Sequence, residues 1–524
     1  MNKKIISFIS IIAICAGVFT ANSWLMPEIN RLREGAGLTR NMPLENAPPQ
    51  LVLAINLLGA FRSIVIDVLW MRSMRLREEG KFFEMAQLAR WICQLEPNIE
   101  DVWTHHAWNM AYNISYEMQS GADRWRWIKR AIHLLRNDGL MYNAHSAVIR
   151  KEIAWIYSHK IGQHWDDEHW YYKQALAREM TPYISVPEDV AVLAALPPIE
   201  QELANNTVLR TMWEKVMEQS VKTIDGFDQS IALSFASKYD SSTITLLRLY
   251  LRKYILEEYY KLDLNTMKSL MDTYGPMDWR LPEPHAVYWA SEGRKYAEEH
   301  TFILYDRLIY LAVQSLYRRG TLYFSEADND AIYLTTPNTA FITPMNKLYQ
   351  TIFERYAGRP AITNIAASYK HFLTEIVILL YTFNQKQEAE KYYNVLREKF
   401  PDIAKQDSFE RFVINQFSIT AQTGNYDKVK NLLFSLLFQG YWLYALGHDE
   451  EYAGYIQLTA VLWKEYTRLS AGQKRLRLPA VDVLAQQVVD YALESGFPPA
   501  LRESLRARIQ QAPAAFPEGA ESDS

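Results

Sequence analysis

Apolar side chains recur at helical spacing along almost the whole of a chain too long to close around one core. Residues 243–262 show the pattern plainly, repeating apolar residues at the intervals that line one face of a helix. At 524 residues the chain exceeds the size at which a single core stops growing, so several domains or an elongated array is required. Hydrophobic residues make up 49% and charged residues 22%, which is globular rather than disordered composition. The 56 Lys and Arg nearly balance 60 Asp and Glu, so no electrostatic footprint for nucleic acid exists. The densest basic cluster, Lys474, Arg475 and Arg477, reads as a solvated helix end.

The N-terminal segment is apolar without interruption. Residues 5–21 carry no charge, follow Lys3 and Lys4, and precede Trp24. As a helix they would extend about 25 Å, close to the thickness of a bilayer core. Cleavage after Ala21 would place bulky Phe19 where a small side chain is wanted, which favours an uncleaved anchor over a signal peptide. Ile14 occupies the slot before Cys15 where lipidation wants a small residue, so the leader does not read as a lipoprotein signal. Lys3 and Lys4 favour a cytoplasmic N-terminus and an extracytoplasmic body, with Arg31 and Arg33 weighing against that orientation. Two cysteines cannot build a disulfide framework, and Cys93 is expected as a small buried hydrophobe.

Residues 30–50 form a polar linker holding Pro43, Pro48 and Pro49. A second apolar stretch, residues 51–71, is long enough to cross a membrane. Asn56, Gly59, Ser63 and Asp67 draw a polar stripe along it, and Arg62 and Asp67 would be costly in lipid. It is therefore expected as the first buried helix of the body.

Several windows share a longer pattern. Trp289, Gly293 and Tyr296 are spaced as Trp-x3-Gly-x2-Tyr, with Ala312 at a later small-residue slot. Ala389, Tyr393, Leu396 and Pro401 are spaced as Ala-x3-Tyr-x2-Leu-x4-Pro. Residues 95–98, Leu-Glu-Pro-Asn, close one unit, and Trp103 with Ala107 opens the next; Asn143 and Ala144 precede another, marked by Ala154 and Tyr157. Gly424, Asn425 and Tyr426 make a short turn ahead of an apolar helix at 429–438. In these residues the chain resembles the tetratricopeptide-repeat proteins, whose 34-residue unit is a pair of antiparallel helices. The likeness covers about half the chain by motif. The wording of residues 96–115 and 275–290 is also similar to bacterial envelope proteins with tetratricopeptide-like bodies. The resemblance implies an all-α fold, a right-handed superhelical array of antiparallel helix pairs behind an N-terminal membrane helix, in an inner membrane spanned once.

The expected organisation is an anchor at 1–26, a linker at 27–50, an N-terminal array at 51–180, a central helical array with irregular inserts at 181–365, a C-terminal array at 366–510 and a disordered acidic tail at 511–524. Pro182, Pro187, Pro197 and Pro198 interrupt the array, and residues 321–335 are expected to form a small β-hairpin around a polar turn at 327–330.

Searches for chemistry return ordinary answers. No Gly-x-Ser-x-Gly, no phosphate-cradling loop, no His-Glu-x-x-His and no Cys-x-x-Cys occurs, and Gly35 and Gly37 lie in the linker with no preceding strand. The densest set of candidate ligands is His159, His164, Asp166, Asp167 and His169. Their spacing does not converge on one helix face, and Asp166 with Asp167 reads as a helix start. No cofactor and no metal is expected. His105 and His106 must point apart, one packed and one exposed. Ten of the fifteen tryptophans fall between Trp24 and Trp170. Either they form a stacking platform, or they fill the spaces between helices, the reading favoured because Trp70, Trp91, Trp103 and Trp127 fall on apolar stripes.

In the proteins that this chain resembles, first-helix side chains line a concave groove. Carried over by register, those slots hold Thr104, Trp108 and Tyr112 in one unit, Lys151, Trp155 and His159 in the next, and Arg294 and Glu298 in the later match. The resemblance thus implies an aromatic groove with polar edges for a protein or peptide partner in the envelope. The expectation is a non-enzymatic, membrane-anchored scaffold. The alternatives are a helical-solenoid enzyme acting on envelope glycan or lipid through scattered carboxylates, and an accessory subunit of a transporter or secretion complex.

Overall fold

The computed structural model describes residues 17, 20, 21, 24, 25, 27–29, 31, 32, 62–218, 235, 238–327, 330–336, 338–382, 385–404, 408–413, 415, 416, 426–470 and 478–511. Among the described residues the fold is all-α apart from one hairpin. Among the described residues no helix is long and apolar enough to cross a membrane. Most of the expected anchor at 5–21, residues 51–61, nearly all of the linker, the basic cluster at 474–477 and the tail beyond 511 lie outside the described residues.

The chain divides into two compact units, one of residues 1–270 with 279–309, the other of residues 271–278 with 310–524. The division falls inside the stretch expected as a central array.

The first unit opens with α1 (Arg62–Glu78) and α2 (Phe82–Leu95), packed along each other across a turn in which Gly80 takes a φ of 70°. The expectation that residues 62–71 are buried is not met. Of the side chains described in α1 only Leu76 is buried, while Ile64, Val68, Met71 and Met74 are more than half exposed. The cause is that α1 packs mainly on one side, against α2.

Next come α3 (Glu100–Trp108), which runs on through a π-turn at Asn109–Ile114, and α4 (Gly121–His133), which runs on through another at Leu134–Gly139. Then α5 (Ala147–Trp155) continues through a π-turn at Ile156–Ile161. Serines cap α4 and α5, whereas α3 starts after Ile99 with no side-chain cap. Ser120 Oγ accepts from the backbone N–H of Asp123 at 3.1 Å, and Ser146 Oγ from that of Ile149 at 3.0 Å. Helix breaks fall at residues 96–99 and 143–146. The carbonyl of Pro97 accepts from the Trp103 indole N–H at 2.9 Å and from Asn143 Nδ2 at 2.7 Å, tying one junction to the next.

Six further helices follow: α6 (His169–Met180), α7 (Glu188–Ala194), α8 (Ile199–Asn205), α9 (Thr207–Glu218), α10 (Ser241–Tyr254) and α11 (Leu264–Tyr274). After them α12 (Pro282–Arg294) returns to pack along α5. This contact explains the glycine in the Trp-x3-Gly-x2-Tyr pattern. A Cβ built at Gly293 would stand 2.8 Å from the Tyr305 ring and 3.1 Å from Arg150 Cβ on α5, so only glycine fits. Trp289 is buried beside it, and Tyr296 is half exposed.

α13 (Phe302–Arg319) leads into the hairpin of β1 (Thr321–Ala327) and β2 (Asp330–Thr336), antiparallel with Thr321 opposite Thr336 and Ala327 opposite Asp330. The expected insert is present. In the second unit α14 (Ile342–Arg355) precedes the pair α15 (Ile362–Thr382) and α16 (Lys386–Lys399), in which Ala389, Tyr393 and Leu396 are buried as the second-helix pattern expects. α17 (Tyr426–Leu446) and α18 (Asp449–Leu469) form the next pair across Gly447, whose φ is 89°. α19 (Val481–Tyr491) and α20 (Pro499–Gln511) cover α17, closing a core of Leu433, Leu437, Trp442, Leu484, Val488 and Phe497.

Two outcomes test this packing. Gly293→Val should cost about 1–3 kcal/mol of stability by forcing α12 and α5 apart, read as a lowered chemical-denaturation midpoint. Cys93 is 1% exposed, and burial pushes its thiol up to about 12. In a Cys15→Ser background it should resist iodoacetamide in native buffer and react fully in guanidinium.

Candidate functional site

Four of the eight side chains expected in the groove meet in one run of rings. On α3 and its π-turn, Trp108 and Tyr112 stack with centroids 5.5 Å apart. On α5 and its π-turn, Trp155 and His159 stack at 4.6 Å and 12°. The two sets join where Tyr112 meets His159, with rings at 5.8 Å and the phenol oxygen 3.4 Å from Nδ1. Trp165, from the turn after α5, adds a further ring 6.3 Å from His159. Trp108 is 41% exposed, Trp155 39% and Trp165 80%, so the run presents ring faces to solvent. Trp103 and Trp127 are buried core, as the space-filling reading expects, but Trp70 is only partly buried and Trp91 is 45% exposed. The tryptophans therefore divide between core and surface.

The turn that carries Trp165 is pinned from inside. Asp166 accepts from Lys160 Nζ at 2.6 Å and from Arg124 Nη1 at 3.0 Å, with all three side chains at most 14% exposed. Its Oδ1 also accepts from the backbone N–H of Glu168 at 3.0 Å, bracing the turn ahead of α6, whose N-cap is Glu168 rather than Asp166 or Asp167 as expected. Burial drags the Lys160 ammonium below its ordinary range, with Asp166 opposing. Burial pushes the Asp166 carboxyl up, but the Lys160 and Glu168 hydrogen bonds outweigh it and hold the carboxyl below its ordinary 3.8. Lys160 also lies 5.4 Å from the centre of the Tyr112 ring, so the ion pair supports the ring run directly.

Electrostatics keep the rings uncharged. Burial lowers the His159 imidazole, and Lys160 lowers it further, so it is neutral near pH 7. The Tyr112 phenol is raised far above its usual value, by burial first and then by the charge of Glu152.

Glu152 was not among the expected residues. It stands on α5 three residues before Trp155 and seven before His159 on the π-turn. Its Oε1 is enclosed and has no hydrogen-bond partner, and burial raises its carboxyl, opposed by Lys151. The i, i+3, i+7 spacing was the signal available in sequence.

The remaining expected residues are placed differently. Thr104 returns its hydroxyl to the carbonyl of Asp101 at 3.2 Å. Lys151 is half-buried beside Glu152. Arg294 is engaged with Asp306 at 2.7 Å and lies over the Phe302 ring at 4.2 Å, while Glu298 forms an exposed pair with His300. Of the candidate ligands, His164 and His169 face each other with Nδ1 atoms 3.4 Å apart, and Asp166 is taken by its two cations. His106 is buried and His105 is exposed against Trp70, the division expected for adjacent helical residues.

Asp166→Asn leaves two buried cations without their anion and should cost about 3–5 kcal/mol. Because the folded carboxyl titrates below its unfolded value, its contribution is complete above about pH 4 and is lost as pH falls through the folded value. Acid titration of the Trp165 fluorescence should show that loss in the wild type and lack it in the variant. Compared with family models, with curated proteins and with solved structures, the chain matches none.

Proposed function

We propose that this chain is a non-enzymatic scaffold of the tetratricopeptide type, an α-solenoid of antiparallel helix pairs held at a bacterial inner membrane by its N-terminal apolar helix. Its body lies outside the cytoplasm and captures a peptide segment of an envelope partner. The observation that carries this reading is the run Trp108–Tyr112–His159–Trp155, in which rings from two successive first helices meet and stay part-exposed. Interior rings of a monomer are normally buried, and half-exposed aromatic runs on a rigid support are the usual anchors of a peptide groove. The π-turns in both helices add support, since such turns recur at functional positions.

The α5–α12 contact supports the repeat reading in a modified form. The first-helix match at Trp289 packs on the unit at 147–161 although more than 120 residues separate them, as if α6–α11 were inserted between neighbouring repeats.

Trp108→Ala with Trp155→Ala should abolish capture of a specific partner from detergent-solubilised membranes and leave the helical circular-dichroism signal unchanged. Trp91→Ala, an exposed ring outside the run, should retain capture. Collapse of the helical signal in the double variant would show the rings to be core and contradict the proposal.

A further inference from the structure

Beside the ring run, one oxygen of a carboxylate has no hydrogen-bond partner in the structure. Glu152 Oε1 is enclosed without a hydrogen-bond partner, on α5 three residues before Trp155. Leaving such a group buried costs free energy that a bound ligand can recover. The nearby buried cations cannot do so, because Lys160 and Arg124 are both bonded to Asp166. His159 is neutral and brings no charge. Lys151, the next residue in sequence, opposes the Glu152 charge only in part.

The Glu152 charge acts on the Tyr112 phenol, and Tyr112 belongs to the run that Trp108, His159 and Trp155 complete. Ring faces attract cations through their quadrupoles, and the attraction grows as water is excluded. Rings and an unpaired acid together select a positive charge carried on an apolar stem. A neutral sugar would stack but leave the acid unmatched, and an anionic group would be repelled by it.

Resting on the peptide-docking reading above, we propose that the groove between the π-turns of α3 and α5 receives the side chain of a lysine or arginine in the partner segment. Trp108, Tyr112 and Trp155 contact its stem and charge, and Glu152 pairs with its ammonium or guanidinium group. The partner is thus a basic peptide, its cation the point of recognition.

The test uses the full chain in a neutral detergent, with acetyl-Gly-Gly-Lys-Gly-Gly-amide, its arginine counterpart and its norleucine counterpart as probes. Saturation is followed through the indole proton resonances of Trp108 and Trp155. Expected is saturable binding of the lysine and arginine peptides about tenfold tighter than that of the norleucine peptide. Glu152→Gln should remove the preference for charge. Equal binding of norleucine and lysine by the wild type overturns the inference even if Glu152→Gln fails to fold, and so does an unchanged preference in a folded Glu152→Gln. If the norleucine peptide binds equally well and its binding is lost in the Trp108→Ala, Trp155→Ala protein, the cation inference fails while peptide docking stands. If no probe saturates the wild type, the inference fails; partner capture that still depends on the two tryptophans then keeps docking alive, and its absence sinks both.

Discussion

The buried ion pairs of Asp166 with Lys160 and Arg124 are the constraint on which the candidate groove rests. Three charges withdrawn from water are tolerated only when each is bonded, and here one carboxylate serves two cations and a backbone N–H. The arrangement ties α4, the end of α5 and the turn leading to α6 together at one point. Without it Trp165 would have no fixed position, and Lys160 would not lie against the Tyr112 ring.

Above that point the rings have little freedom. Tyr112 sits close to His159, Trp108 stacks on Tyr112, and Trp155 stacks on His159. Such a surface is organised before any ligand arrives, which lowers the entropic cost of binding. The same low-dielectric setting that holds the phenol and imidazole neutral leaves the Glu152 carboxyl exposed to the full cost of burial. Support and unsatisfied charge therefore have one origin, the enclosure of the groove by two close helices.

Much of this was legible in the residues. Helical spacing, the small residue at Gly293 and the paired aromatics at 108/112 and 155/159 all carry local signals, and a local period can be read without knowing what lies opposite. The rest depends on contacts across long separations. Nothing in the neighbourhood of Asp166 announces Arg124, 42 residues away, and from its local sequence it reads only as a helix start. Arg294 fits the groove pattern in sequence, but Asp306 one turn into the next helix claims it. Trp91 and the outer side chains of α1 follow apolar stripes yet face solvent, because a stripe says which residues share a face and not whether another element covers it. The packing of α12 on α5 was hidden for the same reason, since the repeat pattern implies neighbours adjacent in sequence.

The most direct measurement is an aromatic nuclear Overhauser spectrum of deuterated full-length protein with protonated Trp, Tyr and His rings. Cross-peaks between Tyr112 and His159, and between His159 and Trp155, are expected from rings with centroids 5.8 and 4.6 Å apart. A Tyr112 ring with no cross-peak to any ring of residues 147–165 would contradict the groove itself, and with it every function assigned to it.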